Sequence, residues 1–410
     1  MRTLFIHQNF PGQFKHLAPA MKARGDDVRA MAIEGVGLKD VPMWRYKVDR
    51  ANTRDVQAWT REFETKMIRA EEAWKALKQV EAEGFDPELV VAHPGWGEGF
   101  CVEDVFPSAR QLHFVEWYYH ANGADVGFDP EFSAGYSEPG RVRSKNAMNL
   151  LALQQMDWGY SPTAWQRQQV PVEYRDRIEV IHDGVDTDKI APEPSRRVNF
   201  ASGASLGRDD ELVTFVNRNL EPARGWHVFA RSLKYLLKAR PKAHVAIVGG
   251  SDVSYGARPD TGKSWREVIW EEVRDEVDQS RVHFLGRIPY PVFIGLLQAS
   301  SCHVYLTVPF VLSWSMLEAM SVGEVVVRSD TTPVSEVIKD GENGVLTPFL
   351  DPKLLAERVA EVLARQNHYQ RIRDAARQTV IEHYDLTRKC LPAQLALVDR
   401  VAGMTRRVHA

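Results

Sequence analysis

Short apolar runs alternate with amphipathic stretches along most of the chain. Ten runs have the length of a strand, and several of them are rich in Val and Ile and do not alternate strictly with polar residues. This pattern is typical of strands that are covered on both faces in a parallel sheet. The predicted strands are 3–7, 28–33, 89–93, 112–117 and 178–182 in the first half, and 213–217, 244–249, 282–286, 303–308 and 324–328 in the second.

Between these runs, apolar residues recur at three- and four-residue spacing, which predicts helices. Phe14, Leu17 and Met21 mark the first helix, and longer ones are predicted over 59–77 and 228–237. Two series of strand and helix predict an α/β protein of two doubly wound, Rossmann-like domains that face each other across a cleft. A Pro-, Gly- and Ser-rich stretch at 190–207 indicates a linker. The expected domains are therefore 1–195 and 205–385, and a last helix within 386–410 belongs to either, with a return to the first one possible.

Composition excludes several classes of protein. The 410 residues are 44% hydrophobic and 26% charged, and 52 Lys and Arg balance 55 Asp and Glu, so the basic excess typical of nucleic-acid binding is absent. Cys101, Cys302 and Cys390 are odd in number and far apart, which indicates no disulfide framework and fits a cytoplasmic protein. No apolar run approaches the ~18 residues of a spanning helix, so membrane contact is expected to be peripheral.

Several familiar motifs fail on spacing or context. The loop from Gly256 to Ser264 has five residues between its glycines, where a phosphate-binding P-loop has four. The pair Asp186 and Asp188 has the spacing of a metal site but lies in a turn, where aspartate commonly bends the chain. HExxH, GxSxG and Cys/His clusters are absent from the sequence. We therefore expect no metal and no other cofactor.

Two arginines follow the strand predicted at 213–217. Arg218 and Arg224 stand six residues apart, and Gly225 and a helix come next. Guanidinium forks match phosphate oxygens, and a helix N-terminus adds positive potential. We expect an anion clamp here; two solvated surface arginines are the alternative.

A second polar turn follows the strand predicted at 303–308. Ser313, Trp314 and Ser315 would open a helix and offer free N–H groups to a phosphate. Glu318 lies one turn further on, where it could accept hydrogen bonds from a sugar diol. The alternative is an ordinary serine cap with a glutamate in the first turn. A weaker polar turn, with Pro333 and Glu336, follows the next strand.

Taken in order, these segments resemble the retaining GT-B glycosyltransferases of family 4. The second half carries N-R…R-G, V-G-G, F-L-G, E-A-M-S-V-G, P-V-S-E-V-I and D-G-E-N-G at 217–225, 248–250, 284–286, 318–323, 333–338 and 340–344. The resemblance implies that Arg218 and Arg224 hold the donor diphosphate and that Glu318 binds the ribose. It further implies donor contacts from Gly12, Arg287, Ile288, Ser313, Trp314 and Ser315.

The first half is expected to bind the acceptor. Aromatic and carboxylate side chains interleave there, which suits the faces and hydroxyls of a sugar. The candidate acceptor-binding residues are Trp96, Glu98, Tyr118, Tyr119 and Asp125. A catalytic strand-end residue is expected from the strand that starts near His113, where Glu116 and His120 are both candidates. The first glutamate of the family's Glu-x7-Glu pair is replaced by Phe310.

The resemblance implies a metal-independent hexosyltransferase. It would move a sugar from a nucleoside diphosphate sugar, with UDP slightly favoured, to a hydroxyl of a carbohydrate or lipid-linked acceptor, with retention. The expected setting is cell-surface polysaccharide or glycolipid synthesis in the cytoplasm, with possible peripheral contact with the inner face of the membrane. The alternatives are a nucleotide-sugar hydrolase or epimerase of the same fold, and a binder without catalytic activity.

Overall fold

The computed structural model describes residues 1–132 and 139–404, and the chain divides into two compact units. The first contains Met1–Gly127, Ser133–Gly184 and Thr387–Ala410, and the second contains Phe128–Phe132 and Val185–Leu386. Each unit is built on a parallel sheet whose strands are joined through helices. This arrangement confirms the predicted α/β class with two doubly wound units.

The first unit has a parallel sheet in the order β3-β2-β1-β4-β5-β6-β7 over its described residues. The five strands predicted for this half are all present, and two short ones, β3 and β6, were not predicted. The strands are β1 (Arg2–Ile6), β2 (Asp27–Ala32), β3 (Met43–Arg45), β4 (Leu89–Ala92), β5 (Arg110–Phe114), β6 (Trp158–Ser161) and β7 (Ile178–Val180).

Helices of the first unit cover the two faces of this sheet. Phe5 packs with Phe14 and Leu17 on one face, while its neighbours Leu4 and Ile6 belong to the core on the other face. This alternation explains why β1 is apolar throughout. The helices are α1 (Leu17–Ala23), α2 (Arg61–Ala82), α3 (Val102–Val105), α4 (Pro139–Lys145), α5 (Ala147–Gln155), α6 (Ala164–Gln169) and α7 (Val172–Arg175).

The second unit repeats the same strand order. Its parallel sheet runs β12-β11-β10-β13-β14-β15, and the five strands predicted for this half are present. The strands are β10 (Leu212–Asn219), β11 (His244–Gly250), β12 (Val282–Gly286), β13 (Cys302–Tyr305), β14 (Val325–Ser329) and β15 (Val345–Thr347). The helices are α8 (Trp226–Ala239), α9 (Trp265–Val273), α10 (Tyr290–Ala299), α11 (Trp314–Ser321), α12 (Val334–Val337), α13 (Pro352–Ala364) and α14 (Gln370–His383).

The stretch interpreted as a linker is structured. It contains an antiparallel hairpin of β8 (Arg197–Asn199) and β9 (Ser205–Gly207), which belongs to the second unit. The side chain of Arg197 ties the two strands by hydrogen bonds to Ser205 and pairs with Asp210. Ser202 and Gly203 of this stretch therefore lie in the turn of a hairpin rather than in a flexible connection.

After α14, a π-helical turn at Leu386–Cys390 leads into α15 (Leu391–Ala402). Leu397, Val398 and Val401 of α15 lie in the core of the first unit, beside the strands of its sheet. Within residues 1–132 and 139–404, no helix combines the length and the apolar character that a membrane crossing needs.

Each sheet has one point at which the strand order reverses. In the first unit this point lies between β1 and β4, and in the second between β10 and β13. Crossovers leave in opposite directions there, which opens a crevice at the carboxyl ends of the strands, where α/β proteins bind ligands.

Candidate active site

Three polar side chains stand at the carboxyl ends of β1, β4 and β5 in the first unit. They are His7, His93 and Glu116, and Gln13 joins them from the turn before α1. His7 Nε2 lies 2.7 Å from Gln13 Oε1, and Gln13 Nε2 donates to Glu116 Oε1 at 3.1 Å. The second Glu116 oxygen lies 3.2 Å from His93 Nε2. The four side chains therefore form one network, in which Gln13 and His93 both contact the Glu116 carboxylate.

Main-chain amides fix the direction of these hydrogen bonds. The Asn9 amide donates to His7 Nδ1 at 3.0 Å, and the Gly95 amide donates to His93 Nδ1 at 3.4 Å. Since each Nδ1 accepts, each proton is assigned to Nε2, from which it is donated toward Gln13 or Glu116. Burial, together with the nearby His93, lowers the pKa of His7 to about 4, so this imidazole is neutral near pH 7.

Glu116 is the electrostatic focus of this network. Burial raises the pKa of its carboxyl, but the hydrogen bonds from His93 and Gln13 outweigh burial and leave the pKa below its usual value. The side chain is 31% exposed. Glu116 is thus an ionised acceptor that can take a further hydrogen bond from a ligand hydroxyl.

Gly12 lies directly against His7. Its φ is +47°, and a Cβ built there would stand 2.2 Å from His7 Nε2. A side chain at this position would therefore displace the imidazole that starts the network. The sequence predicted Gly12 as a donor contact; in the structure it packs against His7.

A cavity of about 250 Å³ opens beside Glu116. A cavity needs only about 10–15 Å³ on this measure to hold one water, so this one has room for a much larger ligand. Four predicted residues, Trp96, Glu116, Tyr118 and Tyr119, line it together. The other lining residues are Glu62, Lys66, His93, Pro94, Gly95, Phe114, Val115, Trp117, Lys145, Asn149, Leu153 and Val170.

The remaining candidates of the first unit lie outside this lining. The imidazole Nε2 of His120 lies 2.8 Å from the carbonyl oxygen of Gln169. Glu98 is only 1% exposed, and burial raises the pKa of its carboxyl. Asp125 lines a smaller hollow beside Lys145, and burial raises its pKa to about 6.

Arg224 is buried at the reversal point of the second sheet. Its guanidinium donates to the hydroxyl of Thr307 at 2.8 Å and to the carbonyl of Val311 at 3.0 Å, and it reaches the Tyr305 hydroxyl at 3.4 Å. The same Tyr305 oxygen accepts the main-chain N–H of Ser313 at 2.9 Å. Arg224 and the start of α11 are therefore held at one strand end.

Arg218 differs from Arg224 in its surroundings, because it is exposed at the end of β10. Glu221 lies between the two arginines and is fully buried; burial raises its pKa to about 7. Its carboxylate accepts the main-chain N–H groups of Ser254 and Tyr255 at 2.9 and 3.0 Å. The loop after β11 is thereby fastened beside the arginine pair.

The other donor-site candidates lie at the start of α11 and in the turn between β12 and α10. Ser313 caps α11, and its hydroxyl accepts the N–H of Ser315, while Trp314 begins the helix. The Tyr290 hydroxyl donates to Glu318 at 2.5 Å. Arg287 is exposed, and its side chain donates to Asn219 at 3.0 Å and Asp252 at 3.1 Å, whereas Ile288 packs on the core.

Phe310 takes part in an aromatic contact around Arg224. Its ring meets that of Tyr255 edge-on, with centroids 4.8 Å apart. The guanidinium carbon of Arg224 lies 5.0 Å from the Tyr255 ring centroid and 5.7 Å from that of Phe310. The position that carries a glutamate in the family pattern is thus apolar here and supports the arginine by a cation–π contact.

Sequence reasoning missed part of the first site. His7 ends a predicted strand as His93 does, and that shared position is a signal that could have found it. Glu62 and Lys66 are four residues apart on α2. Because this spacing is common between charged residues on solvated helices, the sequence did not identify either residue as part of a site. Among the described residues, no group of three or more His, Cys, Asp or Glu side chains is placed to hold a metal ion. Asp186 instead pairs with Lys189.

Comparison with known families gives a match over each half of the chain. The model described as "Glycosyl transferase family 4 group" matches residues 24–190, and that described as "Glycosyl transferases group 1" matches residues 201–379. A curated relative, the D-inositol 3-phosphate glycosyltransferase of Corynebacterium urealyticum, is 26% identical over 195 residues, which are 47% of this chain and 44% of the relative. The chain spans about half the length of the curated relatives it matches.

Solved structures show the same fold over nearly the whole chain. Sucrose-phosphate synthase from Thermosynechococcus elongatus superimposes with a TM-score of 0.73 at 16% identity and covers 98% of each chain. The Anabaena protein HepE, crystallised in complex with UDP-glucose, has a TM-score of 0.65 at 14% identity, with 98% of this chain and 99% of that chain covered. At these identities the likeness concerns the fold alone.

Proposed function

We propose that the chain is a GT-B glycosyltransferase, because its two halves match the models of glycosyl transferase family 4 and of glycosyl transferases group 1, and that it moves a hexosyl group from a nucleoside diphosphate sugar to an acceptor hydroxyl. The second unit would bind the donor, and the cavity of the first unit would bind the acceptor. Retention of the anomeric configuration and independence of metal ions are parts of this proposal that rest on the resemblance to the family.

The observation that carries the proposal is the shared attachment of Arg224 and Ser313 to Tyr305. It holds a buried guanidinium and the N-terminus of α11 at the same strand end. Cations and helix amides fixed in advance stabilise a diphosphate that gains charge as it leaves. Arg218, which is exposed, would bind the diphosphate from the solvent side, and Glu318 would accept hydrogen bonds from the ribose.

In the proposed step, the bond from the anomeric carbon to the β-phosphate oxygen breaks, and that oxygen keeps the electron pair. The acceptor oxygen forms the new bond on the same face of the sugar, and its proton passes to the departing phosphate. No side-chain base is then obligatory. Glu116, held by His93 and Gln13, would accept a hydrogen bond from the acceptor and orient the attacking hydroxyl.

The donor and the cellular role are narrower proposals. HepE binds UDP-glucose, and this supports a UDP-sugar as the first donor to test. The name of the inositol-phosphate relative supports a small polyol or a lipid-linked sugar as the acceptor. We place the reaction in surface polysaccharide or glycolipid synthesis, in the cytoplasm or at the inner face of the membrane.

A donor screen tests the proposal. The melting temperature would be measured with UDP-, GDP-, ADP- and CMP-sugars, since a ligand at 100 times its Kd stabilises the native state by about 2.7 kcal/mol. We expect the nucleotide sugars of one base to raise the melting temperature of the wild type. The same ligands should raise the melting temperature of Arg218→Ala much less. Exposed Arg274→Ala is the matched control and should respond like the wild type. No response to any donor would contradict the proposal.

Phe310 favours one second candidate, a nucleotide-sugar binder without catalytic activity. The ring stands where the family pattern has a carboxylate, and it packs on Tyr255 and Arg224. Such a binder would bind a donor tightly and release no nucleoside diphosphate with any acceptor. Phe310→Glu would then be the variant in which activity could appear.

A further inference from the structure

The cavity of the first unit is richer in cationic groups than the proposed sugar chemistry alone requires. Lys66 of α2 and Lys145 at the end of α4 both line it. Lys145 pairs with Glu62 at 3.4 Å, and its ammonium lies 3.9 Å from the centroid of the Tyr119 ring. Glu62 is already shared, because it also binds Arg141 at 3.0 Å. A single carboxylate thus serves two cations before Lys66 is counted.

Lys66 has no carboxylate of its own. Its ammonium donates to the main-chain carbonyl of Lys145 at 3.1 Å, and among the described residues it makes no ion pair. Burial and the charge of Lys145 lower its pKa to about 8. Buried lysines are rare unless paired, so a half-buried ammonium that lines a cavity without a counter-ion lacks a structural explanation within the protein.

The charged groups that act on Lys66 come from three elements, and Glu116 lines the same cavity. Its own helix contributes Glu62 and Arg69, α4 contributes Lys145, and the turn after β4 contributes the buried Glu98. Two of these four groups are cations, and Glu62 is committed to Arg141 and Lys145. The local potential therefore favours an anion from outside the chain.

We propose that this cavity accepts an acidic sugar or polyol, with Lys66 and Lys145 binding its carboxylate or phosphate group. The inference rests on the proposed function, because it names the class of acceptor for the same site. A carboxylate and a phosphate would both present anionic oxygens to the two lysines, on a small hydroxylated ring.

Charges within the cavity also set the orientation of such a ligand. The ionised Glu116 repels an anion and attracts a hydroxyl, whereas the lysine pair does the opposite. The acidic group would lie by Lys66 and Lys145, the reacting hydroxyl would lie by Glu116, and the ring would lie against Trp96 or Tyr119. Binding of the anion would also raise the pKa of Lys66, so that affinity falls as the pH rises through about 8.

Calorimetric titration of the full chain with glucose, glucuronate and glucose 6-phosphate tests the inference. We expect at least one acid to bind tenfold or more tightly than glucose, with the preferred acid showing whether carboxylate or phosphate is recognised. Lys66→Met should abolish this preference, and Lys66→Arg should keep most of it. Lys75→Met changes an exposed lysine of the same helix and should behave as the wild type.

Two results separate this inference from the proposed function. If neither acid binds more tightly than glucose while a nucleotide sugar still raises the melting temperature, the acidic acceptor is refuted and the glycosyltransferase proposal stands. If an acid binds through Lys66 but no nucleotide sugar binds, the acid-binding cavity is supported and the glycosyltransferase proposal is refuted. Thermal melts of each variant show whether it folds. If Lys66→Met does not fold, the affinity of Lys66→Arg for the acid and the decline of wild-type affinity above pH 8 decide the question.

Discussion

The imidazole of His93 lies flat against the indole of Trp96, with ring centroids 3.8 Å apart and planes only 7° apart. This contact fixes the plane of the imidazole, and the Gly95 amide fixes its tautomer. His93 therefore presents its Nε2–H to Glu116, and the same indole forms a wall of the cavity. One aromatic ring thus connects acceptor binding with the orientation of the carboxylate.

Replacement of Glu116 by Gln should impair transfer and spare donor binding. The variant removes a charged acceptor of two hydrogen bonds, and a hydrogen bond to a charged group contributes about 1.5–3 kcal/mol. We expect kcat/KM for the acceptor to fall roughly 10- to 100-fold, with an unchanged donor-induced rise in melting temperature. Full activity in Glu116→Gln would show that this carboxylate does not meet the acceptor.

Gly12→Ala should destabilise the protein by more than the backbone strain of a positive φ alone. Its Cβ would collide with His7, whereas a Cβ at Gly84, which also has a positive φ of +80°, meets nothing within 4 Å. Gly84→Ala is therefore the control for backbone strain, at about 1 kcal/mol. We expect Gly12→Ala to lower the melting temperature further and to reduce acceptor turnover. Equal effects of the two substitutions in both measurements would contradict the contact with His7.

Substitution of Arg218 should affect only donor binding, whereas substitution of Arg224 should affect both donor binding and the stability of the fold. Exposed Arg218→Ala is expected to weaken binding of a nucleoside diphosphate about tenfold and to leave the melting temperature nearly unchanged. Arg224→Ala removes buried hydrogen bonds to Thr307 and Val311 and should lower the free energy of unfolding by about 3 kcal/mol as well. Calorimetric binding and urea unfolding measure the two effects. Unchanged affinity in both variants would exclude the arginine clamp.

Acid should destabilise the first unit through His7. The pKa of this imidazole is about 4 in the folded chain against an ordinary value of 6.5, so the unfolded chain binds more protons between these values. Its contribution, on the order of 3 kcal/mol, is present in full above pH 6.5 and is lost as the pH falls toward 4. In His7→Gln, the slope of unfolding free energy against pH should be lower in this window. Identical slopes would refute the pKa shift.

The sequence predicted the parts of this fold that depend on long apolar runs. All ten predicted strands exist, because strands buried on both faces must be apolar along their whole length. Strands β3 and β6 escaped prediction because they contain no Val, Ile or Leu, and β15 because its apolar run is only two residues long. The hairpin at 197–207 was hidden because turn residues and linker residues have the same composition.

The candidate site was predictable only where it follows a strand. Arg224, Ser313 and Glu116 were named because crevices form at strand ends. Lys66 and Lys145 come from helices α2 and α4, and their approach to one cavity depends on packing that no local pattern encodes. The hydrogen bond from Lys66 to the Lys145 carbonyl spans 79 positions of the chain.

The most direct test of the central claim is the amount of nucleoside diphosphate released from the preferred donor, with and without acceptor, compared with the glycosylated product formed. The account predicts that acceptor accelerates the release and that product matches released diphosphate one for one. Release at the same rate in water alone, with free sugar as the product, would contradict transfer to an acceptor, and tight donor binding without any release would contradict catalysis itself.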